Sequence, residues 1–127
     1  MKKYLIDTNI ILRFLLTDNK KLYKKSTEII YQAKNKKIEL EIIPEVIFEL
    51  DYVLRGVYKL EKEKVIEVLL NLVKTPYFFI EKRELIIKVL DEYREISIDL
   101  FDVYLFYLAR SENKEVISFD KDFKKLK

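Results

Sequence analysis

The chain has 127 residues, half of them apolar, and carries 25 Lys and Arg against 22 Asp and Glu, for a formal charge of +3. That length suits one domain, expected over residues 1–127, with a sizeable core. It contains no His, no Cys, no Trp and a single Gly, which excludes disulfides, thiolate and imidazole metal sites, imidazole bases and glycine-rich phosphate loops. Any catalysis must come from carboxylates, hydroxyls, amides, Lys, Arg and Tyr, or from an oxygen-bound metal.

In chain order, Lys2 to Asp7 ends in the apolar run Tyr4-Leu5-Ile6, which suits a buried strand. Ile10, Ile11, Phe14 and Leu15 then recur at helical spacing. Lys20 to Lys36 reads as a second helix, with Leu22, Ile29, Ile30 and Ala33 facing inward. Leu40 to Ile43 is a short strand. Pro44 fits the first position of the next helix, where its missing N–H costs nothing. That helix would bury Ile47, Leu50 and Leu54. Glu61 to Lys74 is another helix, broken at Thr75-Pro76 before a strand over residues 77–80. Arg83 to Ile96 is amphipathic, and Leu100 to Arg110 is nearly apolar throughout. Val116-Ile117-Ser118-Phe119 reads as a last strand, followed by an Asp/Lys turn. Strands alternating with helices imply an α/β fold with a mainly parallel sheet covered on both faces. Right-handed crossovers place all strand carboxyl ends along one edge, where ligands of open parallel sheets bind.

No stretch approaches the ~20 apolar residues that span a bilayer. Met1-Lys2-Lys3 has the look of a leader, but Asp7, Asn9 and Arg13 interrupt the run that follows. The expected compartment is the cytoplasm.

Most acids neighbour Lys on solvated helix faces. Four do not. Asp7 ends the first strand, Glu49 lies between Phe48 and Leu50, Asp102 is the only charge between Leu100 and Ala109, and Asp120 follows the last strand. Each has an ordinary explanation: helix capping for Asp7, a capping box for Asp99 with Asp102, the edge of a buried face for Glu49, a turn for Asp120. Together they lie at or near one sheet edge and could converge. Such a group repels itself unless a cation joins it, and all-oxygen ligands select Mg²⁺ or Mn²⁺. Carboxylate-held metal suits phosphodiester hydrolysis.

These residues resemble the PIN domain family, especially the small VapC-type toxin ribonucleases. The resemblance rests on Asp7-Thr8-Asn9 with its following Ile-Ile-Leu-Arg, on Glu49-Leu50-Asp51-Tyr52-Val53-Leu54, on Asp99-Leu100-Phe101-Asp102 and on Ser118-Phe119-Asp120-Lys121-Asp122-Phe123. It covers essentially the whole chain. It implies a three-layer α/β/α sandwich with a mainly parallel four- to five-stranded sheet, a metal-dependent endoribonuclease, and inhibition by an antitoxin protein. By it Asp7, Glu49, Asp102 and Asp120 bind the metal, with Thr8, Asn9, Asp99 and Ser118 in support. One departure stands out: Phe101 and Val103 flank Asp102 where the family usually has small residues.

Arg13, the helix cluster Lys20, Lys21, Lys24 and Lys25, and the tail Lys121, Lys124, Lys125 and Lys127 are the basic groups that could meet RNA. The tail is preferred for its place beside Asp120. With 9 Tyr and 8 Phe, core packing takes most aromatics, and exposed Tyr is a candidate for stacking on unpaired bases. A homodimer is expected from family analogy. The competing readings are a non-catalytic PIN-like module that binds RNA or protein, and a receiver-type phosphoacceptor, which lacks the adjacent acid pair after strand one.

Overall fold

A computed structural model describes residues 1–126. Helices enclose a parallel sheet in an α/β/α sandwich. The first strand, β1 (Lys2–Leu5), leads into α1 (Thr8–Leu16) and α2 (Lys20–Lys34), and β2 (Ile38–Glu41) into α3 (Pro44–Gly56) and α4 (Lys62–Val73). The short β3 (Phe78–Phe79) is followed by α5 (Arg83–Arg94) and α6 (Leu100–Ser111), and a 3-10 turn covers Lys121–Lys125.

The sheet order is β1-β2-β3, all parallel, with Lys2 opposite Ile38, Leu5 opposite Glu41 and Leu40 opposite Phe78. The Ile6 and Ile42 amides continue the ladder, donating to Glu41 O and Phe79 O at 3.0 Å each. Asp7 therefore begins where pairing stops.

Local chemistry explains the ends. Pro44 opens α3, as expected. The Asn19 side chain accepts from the Leu22 amide at 3.0 Å and starts α2. Thr17 turns left-handed (φ 53°) to close α1. Arg83 ties β3 to the end of α4 by donating to the carbonyls of Val73 (2.6 Å), Thr75 (2.8 Å) and Phe78.

The core runs through the sheet and the α3–α6 stack. Ile42, Ile47, Leu50, Val65, Ile66, Leu69, Leu90 and Val103 are wholly buried. Burying each side chain of this size contributes roughly 1.5–3 kcal/mol.

Five expectations change. The sheet has three strands among the described residues, not four or five. Val116–Phe119 forms no ladder, and Ile117 and Phe119 stand fully in solvent. Tyr4 and Leu5 are also exposed, because β1 is an edge strand; only Ile6 of that run is buried. In α6 burial follows one stripe, Leu100, Val103, Tyr104 and Tyr107, and leaves Phe101 half-exposed. In α2 the buried face is Ser26, Ile30 and Ala33, with Leu22 at its rim. No helix among the described residues is long and apolar enough to cross a membrane.

Candidate functional site

The topology puts Asp7 and the start of α3 on one side of the sheet, at the strand carboxyl ends. Asp7 occupies the N-cap position of α1, yet its side chain makes no capping bond. Asp99 holds the same position on α6, also without one. The ordinary capping role thus leaves both carboxylates uncommitted. Thr8 is buried beside Asp7 at the head of α1. Glu49 is exposed in the second turn of α3. Its neighbour Phe48 packs on the rings of Phe101 (5.5 Å) and Tyr104 (5.0 Å), so this turn of α3 abuts the first turn of α6, where Asp102 sits.

Asp102 is held in an unusual electrostatic environment. Partial burial, then repulsion from Asp99, Asp120 and Asp122, holds its carboxyl above the usual range. The tail therefore lies against α6 without forming a strand. Its own geometry is a tight turn: the Ser118 hydroxyl accepts from the Asp120 amide (2.9 Å), and the Asp120 carboxylate accepts from the Asp122 amide (2.8 Å). Asp120 keeps the turn role that is its ordinary explanation while facing Asp102. None of Asp7, Glu49, Asp99, Asp102 and Asp120 forms an ion pair among the described residues.

The charges of Asp99, Asp120 and Asp122 bear on Asp102, and Asp122 is an acid the sequence reading left out. Among the described residues, however, no three acids stand close enough together to form a ready chelate, and the four expected ligands Asp7, Glu49, Asp102 and Asp120 are not assembled into one. The donor chemistry suits Mg²⁺ or Mn²⁺, being hard, anionic and mutually repelling.

The basic residues divide. Arg13 is committed within the fold. It donates to Asp18 (3.0 and 3.2 Å), to the Tyr58 hydroxyl (3.2 Å) and to Asn9 Oδ1 (3.4 Å), tying α1 to the end of α3. Asn9 serves this network. Lys125 pairs with Asp122 at 3.3 Å, while Lys121 and Lys124 are exposed beside the turn. Lys127 lies outside the described residues.

Sequence reasoning missed Asp51. It is only 8% exposed, and its Oδ2 accepts from the Tyr93 hydroxyl at 2.9 Å while Oδ1 has no partner. Arg55 in turn donates to that hydroxyl, and the Lys62 ammonium lies 4.2 Å over the Tyr93 ring. Burial pushes the Asp51 carboxyl up, against the Tyr93 bond and the charges of Arg55 and Lys62. The signal was present: Asp51 falls on the stripe of Ile47, Leu50 and Leu54.

A parallel α/β/α sandwich with uncommitted acids near its carboxyl edge defines a class that the comparisons name. The sequence matches the PIN domain family over residues 4–127. The chain belongs to that family. It is also 32% identical over 124 residues to the VapC ribonuclease of Aquifex aeolicus (strain VF5), covering 96% of this chain and 90% of that protein. No solved structure gives a significant match.

Proposed function

We propose that this chain is a metal-dependent endoribonuclease, a single catalytic domain over residues 1–127 and the toxin of a toxin–antitoxin pair acting in the cytoplasm. The observation that carries the reading is the partly buried Asp102, on which the charges of Asp99 and Asp120 bear, in a chain that matches a PIN domain almost end to end. Its similarity to a VapC ribonuclease supports RNA as substrate.

In this reading Asp7, Glu49, Asp102 and Asp120 hold Mg²⁺ or Mn²⁺, which activates water and stabilises charge on the phosphate. The chain's own residues do the rest. Asp99 adds negative charge beside Asp102 and favours cation capture. Ser118 fixes the backbone that presents Asp120, and Thr8 sits buried next to Asp7. Asn9 holds Arg13, so both position the head of α1. Lys121 and Lys124, with Lys125 once it leaves Asp122, offer charge to the RNA backbone. A homodimer completes the proposal.

The test uses purified chain with structured RNA, Mn²⁺ and an EDTA control. Cleavage that needs Mn²⁺ and falls by at least a hundredfold in Asp7→Asn and in Asp102→Asn supports the assignment. Cleavage untouched by either change refutes it. A second reading, a PIN-like module that binds RNA or protein without cutting, is favoured by one observation: the acids are not gathered into a chelating group. Calorimetry separates the two, because the module takes up no Mn²⁺ at millimolar concentration.

A further inference from the structure

We propose that the cleft lined by Asp51 and Asp99 is a base-recognition subsite, in which Asp51 accepts hydrogen bonds from the donor edge of a guanine in single-stranded RNA. The proposal rests on the ribonuclease reading above and names what that site selects.

The cleft encloses about 780 Å³ between the second half of α3, the start of α4, the end of α5 and the head of α6. That volume is in the range of small-molecule sites. Three kinds of group meet there. Tyr52 (73% exposed), from α3, and Phe101 (51% exposed), from α6, both line it. Arg55 and Lys59 are exposed cations on the rim. Asp51, buried among them, has one carboxylate oxygen with no partner. Aromatic faces with flanking cations are the chemistry of single-strand binding, where bases stack and phosphates pair with Lys and Arg.

The orphan oxygen sets the preference. An ionised carboxylate only accepts hydrogen bonds. Guanine alone presents two adjacent donors on its pairing edge, N1–H and the N2 amino group. Adenine and cytosine present one amino group beside acceptors, and uracil one N–H between two carbonyls that a carboxylate repels. A metal ion is the poorer occupant, because Arg55 and Lys62 already act on Asp51. Tyr52, Arg55 and Phe101 line the same cleft as Asp51 and are exposed. Asp99 lines the cleft and also bears on Asp102. Asp99 thus links the cleft to Asp102, the acid proposed to act on the phosphate.

The experiment measures binding to the full chain carrying Asp102→Asn, which blocks cleavage, by fluorescence anisotropy. The probes are single-stranded eight-nucleotide oligouridylates with one central guanosine, inosine or uridine. Inosine lacks the N2 amino group. Guanosine is expected to bind about tenfold or more tighter than uridine, with inosine between them. Asp51→Asn, added to this chain, is expected to erase the difference between guanosine and inosine. Tyr52→Ala, at an exposed ring, is expected to weaken binding about fivefold or more while leaving the melting temperature in place, and Phe101→Ala, whose ring also packs on Phe48, is expected to weaken binding by a similar factor. The inosine comparison needs no change at Asp51, so it stands even where Asp51→Asn fails to fold. Equal binding of the three probes, or discrimination that survives Asp51→Asn, overturns the subsite while RNA cleavage by the wild-type chain leaves the nuclease reading intact. Neither binding nor cleavage of any RNA overturns both.

Discussion

Asp102 lies in the first turn of α6, where the helix N-terminus ordinarily favours a negative charge. Its carboxyl is nevertheless raised, so burial and repulsion from Asp99, Asp120 and Asp122 outweigh the helix. The linkage has a definite sign. A carboxyl with a higher pKa in the folded than in the unfolded state costs stability once ionised, so stability falls as pH rises through its folded pKa. In metal-free buffer, Asp102→Asn is expected to melt above the wild type at pH 7.5, with the gap narrowing as the pH is lowered and the wild-type acid takes up its proton; differential scanning calorimetry across a descending pH series reads this directly. Asp102 was legible because it breaks an apolar run. Asp51 was passed over because its motif offered Glu49 two positions earlier, and only the helical stripe, not the motif, marks it as buried. The fourth acid of the cluster, Asp122, looks in sequence like one more solvated charge next to Lys121; its effect on Asp102 depends on a turn closed by Ser118 and Asp120.

At the scale of elements, the six helices and first three strands were legible because each carries its own signal: Pro44 at the start of α3, the Thr75-Pro76 break, a 3.6-residue apolar stripe. Val116–Phe119 has the composition of a strand, but composition reports only fitness for a pleated surface. A strand also needs a partner, and that is decided by where α6 delivers the chain. The same uncertainty misplaced Tyr4 and Leu5, whose apolar character says nothing of their position at the margin of the sheet. The contrast yields a paired prediction. Phe119→Ser is expected to change stability by no more than about 0.5 kcal/mol, since the ring is fully exposed. Leu50→Ala, at a wholly buried position of α3, is expected to cost about 2–5 kcal/mol. Urea denaturation of the two variants checks both; a large loss in Phe119→Ser would mean that the segment packs in solution.

The molecule as a whole draws its expected ligands from positions 7, 49, 102 and 120, nearly the full length of the chain. An ion shared by such residues binds the folded state and not the unfolded one. Stability should then rise with the logarithm of free metal, by about 2.7 kcal/mol at a hundred times the dissociation constant. Thermal melts are expected to move upward with millimolar Mn²⁺ and return with EDTA, and the shift should shrink in Glu49→Gln, whose carboxylate is exposed and supports no contact in the core. A melt indifferent to Mn²⁺ would favour the non-catalytic module. This joint behaviour was legible in the sequence only as four separate motifs. Which acids already lie together depends on how the tail returns across α6.

Among the described residues, the outer flank of β1 leaves its peptide groups without a neighbouring strand. Such a margin is a template for stacking one molecule on the next. Here Lys2 and Lys3 stand on it, and two like charges meeting across an intermolecular ladder would repel. Colloidal behaviour follows from that. Added salt weakens the repulsion, so concentrated solutions should grow more turbid as ionic strength climbs, the condition that also loosens any grip on a polyanion.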